Sequence, residues 1–335
     1  MNSWIAAGLV LSLLEAAVAG PFLRLPTANQ ALFQPGGEER FFTPTSGKSW
    51  TSGQFGCVRS DGHQFHEGID IQCLNRDRRG EPTDPIQASA DGVVAYISRH
   101  PGLSNYGNYL VLRHQVDGLE IYTLYAHLSD IRQDLKPGDS VRGGETVATM
   151  GRTSNTRQRI TKDRAHVHFE VDVVASDRFA AWYAQHEPGQ KNDHGNFHGH
   201  NLMGVDPAAL LREEFRQRGS FNLVRFLQAQ PEMCRVTVRA KSFPWVKRYA
   251  PLILPNPVAS REGIAGYELS LTFNGIPARV IPRAASELRS PGKFALVSVN
   301  AAVHDASPCA GLVRQRDGRW SLTPHGLELL DLLTY

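Results

Sequence analysis

One seven-residue stretch constrains this chain more than any other: Ala165-His166-Val167-His168-Phe169-Glu170-Val171. Polar and apolar residues alternate strictly. As a strand it turns Val167, Phe169 and Val171 into a core and His166, His168 and Glu170 to the opposite face. Two imidazoles at this spacing lie roughly 6–7 Å apart at Cα and face the same way. One can then bind a metal while its neighbour reaches a bound water or a substrate. A strand face carrying two incidental histidines fits the same pattern, so the other segments have to decide.

Phe65-His66-Glu67-Gly68-Ile69-Asp70-Ile71 has the opening of a helical HExxH zinc motif. It departs from that motif because Asp70 stands where the second His belongs, and Gly68 weakens a helix. A straight strand would hold residues 66 and 70 about 13 Å apart, whereas two ligands of one zinc must bring their donor atoms within about 4 Å. The chain is therefore expected to bend between His66 and Asp70, with Gly68 as the permissive residue. A third segment, Tyr122-Thr123-Leu124-Tyr125-Ala126-His127-Leu128-Ser129, reads as a strand. Its alternation assigns Leu124, Ala126 and Leu128 to one face and Thr123, Tyr125 and His127 to the other, polar face.

Between these segments run β-rich stretches at 92–97, 108–113 and 119–128, separated by turns such as Asp117-Gly118. Short strands punctuated in this way predict antiparallel pairing and a mainly β domain. Residues 20–53, rich in Pro, Gly, Ser and Thr, read as an irregular lead-in. Asp206-Pro207 opens a helix with Leu210, Leu211 and Phe215 on one face. Beyond it, strands at 234–240, 267–273 and 294–299 and a short terminal helix at 326–333 give a smaller C-terminal α+β region.

The order His66…Asp70, His127 in YAHLS, then His166-x-His168 followed by Phe-Glu resembles the M23 family of lysostaphin-like peptidases. So do residues 65–71 as the family's HxGIDI strand, 88–94 as its A-dG-V turn and 105–111 as its yGnyv strand. Residues 135–145 resemble its vkpGd-V-kGe hairpin. The resemblance covers roughly residues 54–175. It implies a curved antiparallel β-sheet peptidase domain with the metal in a groove. It also implies that His66, Asp70 and His168 are zinc ligands and that His127 and His166 are catalytic histidines outside the metal. The chemistry of the residues agrees, since two imidazoles and one carboxylate leave Zn2+ a fourth position for water, and zinc lowers that water's pKa toward about 7. The remaining two imidazoles suit proton transfer and oxyanion stabilisation, in an order left open. Glu170, on the ligand face, could orient a ligand imidazole.

Two insertions depart from the family pattern. One spans Cys73 to Pro85. The other runs from Arg152 to Arg164 and holds five Lys or Arg residues, which should lie near the groove. His194, His198 and His200 read as an exposed loop.

The apolar run Ile5–Leu14 followed by Ala17-Val18-Ala19 reads as a signal peptide over residues 1–19, which implies an exported, periplasmic or extracellular protein with no membrane span after cleavage. In an exported chain the four cysteines predict two disulfides. Of the three possible pairings, Cys57–Cys73 and Cys234–Cys309 keep each bond within one region. The expected organisation is then residues 1–19 signal, 20–53 lead-in, 54–211 peptidase domain and 212–335 C-terminal region. Residues 235–335 hold 13 Lys or Arg against 7 Asp or Glu, which reads first as a solvated surface and second as one that could help hold an anionic wall polymer. The net charge of +3 is small, and no motif that reads nucleic acid is present. The expected function is zinc-dependent hydrolysis of peptide crosslinks in bacterial peptidoglycan, with its stem peptides as partners. The rival expectation is a wall-binding or regulatory protein with an inactive M23 fold.

Overall fold

The computed structural model describes residues 22–157, 159–217 and 219–335, so the expected signal peptide at 1–19 lies outside the described residues. The chain enters its β region through a hairpin of β1 (Gly56–Arg59) and β2 (Gln64–His66), then bends into β3 (Ile69–Gln72). There follow β4 (Pro85–Gln87), β5 (Gly92–Ser98), β6 (Tyr109–Val116), β7 (Leu119–Ala126), β8 (Asp130–Ile131), β9 (Ser140–Val141) and β10 (Thr146–Thr149). The run closes with β11 (His166–Val174) and β12 (Leu202–Val205). The main sheet has the order β12-β11-β7-β6-β5-β9, and a second sheet the order β4-β10-β8. Every pairing is antiparallel. Strand β3 lies along the first half of β11, on the edge that β12 covers further on. The Asp117-Gly118 turn between β6 and β7 has φ of 51° and 78°, as a two-residue hairpin requires. The domain is the mainly β, antiparallel structure that the alternation predicts.

Strand β11 is buried on both faces. Phe169, Val171 and Val173 enter the large hydrophobic core, which continues without interruption from Leu23 in the lead-in to Leu333 near the C-terminus. The opposite face is closed by a small cluster that includes Tyr109, Leu124, Ala126 and Leu202, against which Tyr106 and Phe197 pack. The lead-in braces the β3 edge: Thr43 N–H donates to the Asp70 carbonyl at 2.8 Å, and Phe42 bridges Ile71.

The C-terminal region is built on β13 (Cys234–Val238), β14 (Gly266–Leu271), β15 (Pro277–Arg283) and β16 (Phe294–Val299), in the order β15-β14-β13-β16. Asp206 caps the helix Pro207–Gln217 by accepting from the N–H groups of Ala208 and Ala209 at 2.9 and 3.1 Å. The region is tied to the main sheet where Val174 N–H donates to the Tyr249 hydroxyl at 2.8 Å. No helix among the described residues is long and apolar enough to cross a membrane.

The disulfide expectation is corrected. Cys57 pairs with Cys309, 252 residues away, while Cys73 and Cys234 are free and buried. The reason is tertiary placement. Cys57 lies on β1, which pairs with β2 and faces the C-terminal region, whereas Cys73 lies past the end of β3 with its N–H on the Ala165 carbonyl. The Cys73 thiol donates to the Asn75 carbonyl and to Asp84 at 3.1 and 3.0 Å. Burial and then the Asp84 carboxylate push this thiol up to about 12, and burial pushes Cys234 up to about 12. Thiolate is the reactive species, so a thiol reagent at pH 8 should find no reactive cysteine in the folded protein. Two should appear on unfolding without reductant. A count of zero or four in the unfolded, unreduced sample would overturn the pairing.

Candidate metal centre

The register of the β3–β11 pair builds the site. Asp70 stands directly opposite His168, and directly opposed residues of an antiparallel pair project from the same face. His66 arrives from β2 through the bend at Glu67-Gly68. Glycine is required there by close approach: a Cβ on Gly68 would lie 2.3 Å from the Phe169 carbonyl oxygen. The bend anticipated from the sequence is present, although Gly68 serves it by letting β11 come near.

His66 Nε2, Asp70 Oδ1 and His168 Nδ1 converge. His66 Nε2 is 3.0 Å from His168 Nδ1 and 3.2 Å from Asp70 Oδ1, and His168 Nδ1 is 3.0 Å from Asp70 Oδ1. Among the described residues these three are the one His, Cys, Asp or Glu group able to hold a metal ion. All three side chains are buried. The outer nitrogens fix which atom faces inward. His66 Nδ1 donates to the Gln54 carbonyl at 2.6 Å, leaving Nε2 for the centre. His168 Nε2 donates to Glu170 Oε1 at 2.6 Å, leaving Nδ1. Donor atoms about 3 Å apart suit a small cation bound at about 2 Å.

The electrostatics point the same way. Burial works to raise the Asp70 carboxyl, but His166, His66, Arg59 and the His168 hydrogen bond outweigh it and hold it well below the usual range. Burial likewise disfavours a charged His168, yet its bonds to Asp70 and Glu170 raise it to about 10. A metal ion at the centre would take the place of the His168 Nδ1 proton. Behind His168, burial and then the Glu170 charge raise the Asp172 carboxyl well above its ordinary range.

His127 and His166 border the same centre. Their rings lie 4.9 Å apart, and the His127 ring is 5.9 Å from that of His168. Nδ1 of His127 donates to the Thr153 carbonyl at 2.8 Å, and Nδ1 of His166 to the Arg164 carbonyl at 2.6 Å. Each ring is therefore left with an Nε2 lone pair, and Nε2 of His166 lies 3.5 Å from Asp70 Oδ1. Burial lowers both, His127 well below the usual histidine range with help from His166 and His168.

The face assigned to His127 from alternation needs correction. Register places Ala126 opposite His168, and Tyr125 opposite Phe169 on the core side. Continued strand geometry would send His127 into the core. Instead β7 ends at Ala126, and His127 takes φ +61°, which turns its ring back toward His166 and His168. An L-residue in this conformation costs about 1–2 kcal/mol, a cost that clusters at functional sites.

The centre opens into a cleft of about 370 Å³ whose walls include Arg59, Tyr106, Ser154 and Arg164. The 152–164 insertion forms one wall, and the 73–85 insertion clasps it. Glu81 pairs with Arg152 at 2.8 Å and Lys162 at 3.1 Å, and Arg76 donates to the Asp163 carbonyl at 3.2 Å. Sequence reasoning missed Arg59, which donates to Asp70 Oδ2 at 2.6 Å and contacts His66 Nε2 at 2.9 Å. It sits in an unremarkable strand with no local pattern to mark it. His194, read as part of an exposed loop, is buried with Nδ1 on the Tyr96 hydroxyl at 2.9 Å.

Fold and site together define an antiparallel β protein with a His–Asp–His centre flanked by two further histidines. Residues 64–179 match the model of peptidase family M23. The chain is similar to the DD-carboxypeptidase/endopeptidase Mpg of Neisseria meningitidis serogroup B, with 38% identity over 110 residues, which are 33% of this chain and 20% of that protein. It is also similar to the murein hydrolase activator NlpD of Escherichia coli, with 31% identity over 106 residues, 32% of this chain and 22% of that protein. Among solved structures, the catalytic domain of lysostaphin from Staphylococcus simulans aligns with 19% identity and a TM-score of 0.29, covering 51% of this chain and 88% of that one. The chain thus spans about a fifth of the length of the Mpg and NlpD proteins it matches.

Proposed function

We propose that this protein is an exported zinc endopeptidase that hydrolyses peptide crosslinks of bacterial peptidoglycan. The observation that carries the reading is the convergence of His66 Nε2, Asp70 Oδ1 and His168 Nδ1 within 4.8 Å of one another, with His127 and His166 alongside. A bound zinc would supply a Lewis acid that polarises the scissile carbonyl and acidifies water. His66, Asp70 and His168 would hold it, and an N,N,O donor set is of the type found in catalytic zinc sites. The Nε2 lone pair of His127 or His166 takes the proton from the attacking water, and the other imidazole, once its Nε2 is protonated, donates a hydrogen bond to the developing oxyanion. Glu170 and the Gln54 carbonyl keep the ligand rings oriented. The wall substrate is supported by the similarity to Mpg, a DD-carboxypeptidase/endopeptidase, and to NlpD, a murein hydrolase activator. NlpD, named as an activator, supports the rival reading of a regulatory protein with an inactive fold. The complete set of five side chains favours the hydrolase.

Digestion of purified peptidoglycan tests the proposal. The zinc-loaded protein should release products of peptide-bond cleavage, a chelator should stop the release, and added zinc should restore it. Glycan-bond products would overturn it. So would an inert, folded, zinc-loaded protein that instead accelerates a separate wall hydrolase, which would establish the activator reading.

A further inference from the structure

The cleft wall carries two arginines whose donors exceed their partners. Arg59 spends Nη2 on Asp70 Oδ2 and His66 Nε2, while its Nε is buried with no hydrogen-bond partner among the described residues. Arg164 donates through Nε to the Pro44 carbonyl at 2.9 Å, and among the described residues its two terminal nitrogens have no hydrogen bond or ion pair. Arg164 is two residues before His166, whose Nδ1 is fixed on the Arg164 carbonyl. Of the five basic residues between 152 and 164, Arg152 and Lys162 are engaged by Glu81, and Arg164 is the one that lines the cleft. Of the acids lining the same cleft, Asp70 takes only the Nη2 of Arg59, and among the described residues Glu67 makes no ion pair with either arginine. A guanidinium fork matches a carboxylate in geometry and charge.

We propose that Arg59 and Arg164 form a carboxylate subsite that selects peptide strands carrying a free carboxylate beside the scissile amide. The proposal rests on the endopeptidase reading and deepens it. If His66 Nε2 is engaged by a metal, its single lone pair is no longer available to Arg59, which adds one more free donor facing the cleft. The disulfide from Cys57 to Cys309 anchors β1 two residues from Arg59. The carboxylate could come from the side arm of a diamino-diacid at a crosslink or from the C-terminus of a stem peptide.

The test uses the zinc-loaded chain with four synthetic peptides. Two are crosslinked dimers with the side-arm carboxylate free or amidated, and two are single stem peptides with the C-terminus free or amidated. Binding is read by fluorescence anisotropy and turnover as kcat/KM. The wild type should favour a free carboxylate over its amide by roughly tenfold, the scale of one charge-assisted bond. Arg164→Gln should lose that preference by weakening only the free form, Arg164→Lys should keep part of it, and both should retain full zinc. Discrimination within the dimers assigns the subsite to the side arm, and discrimination within the single peptides assigns it to the terminus. Equal treatment of free and amidated peptides by the wild type overturns the subsite and leaves the endopeptidase reading standing. So does an Arg164→Gln variant that weakens both forms alike. Carboxylate-dependent binding without hydrolysis overturns the endopeptidase reading and leaves the subsite.

Discussion

His168→Ala yields a protein that no longer holds zinc through dialysis and no longer cuts peptidoglycan. The proposed ion has three protein donors, and His168 Nδ1 lies 3.0 Å from each of the other two residues' donor atoms. Loss of a residue that merely orients a ligand costs roughly 10–100-fold in metal affinity, so loss of a ligand itself should exceed about 100-fold. The substitution has a second consequence. His168 is buried between Asp70 and Glu170, and both of its ring nitrogens are engaged. Removing it leaves two carboxylates facing a cavity, and breaking a buried charged pair in this way costs about 3 kcal/mol or more. Metal analysis by mass spectrometry and a thermal melt read the two effects separately. Full zinc occupancy in folded His168→Ala would refute the ligand assignment.

The part of this site that could be read from sequence is the part encoded by local periodicity. Alternation in 165–171 sorts the residues of β11 correctly, and the distance argument at 66–70 demands the bend that is present. Alternation fails at His127 because a single backbone dihedral of opposite sign reverses the face, and no hydrophobic pattern encodes φ at one residue. It also misjudges burial. The His166–His168–Glu170 face was read as polar, yet it lies beneath the cluster around Tyr109, Leu124 and Leu202. That cover comes from residues 30 to 60 positions away along the chain. Arg59 and the Cys57–Cys309 bond escape for the same reason, since both depend on where the β1–β2 hairpin sits against distant segments. Sequence spacing favoured a short disulfide loop, whereas the observed loop links the first strand of the β region to a turn 252 residues later. The uninterrupted core from Leu23 to Leu333 explains how such a partner comes within reach.

His127→Ala is expected to separate chemistry from metal binding. His127 supplies no donor atom to the three-residue centre, so zinc stoichiometry should match the wild type. Turnover should fall about 10²–10⁴-fold, the usual contribution of a positioned proton-transfer group. Its Nδ1 is committed to Thr153, and burial together with the neighbouring imidazoles disfavours the charged ring. It can therefore accept a proton or, once protonated, donate one, but it cannot stand in for a ligand. The φ of +61° supplies a control for damage to the fold. Alanine inherits the unfavourable conformation and glycine does not, so His127→Gly should be more stable than His127→Ala by about 1 kcal/mol. Both should be equally inactive. If the glycine variant regained activity along with stability, His127 would be a structural residue of the turn, and its place in the catalytic pair would have to be given up. Zinc loss in either variant would put His127 among the ligands instead.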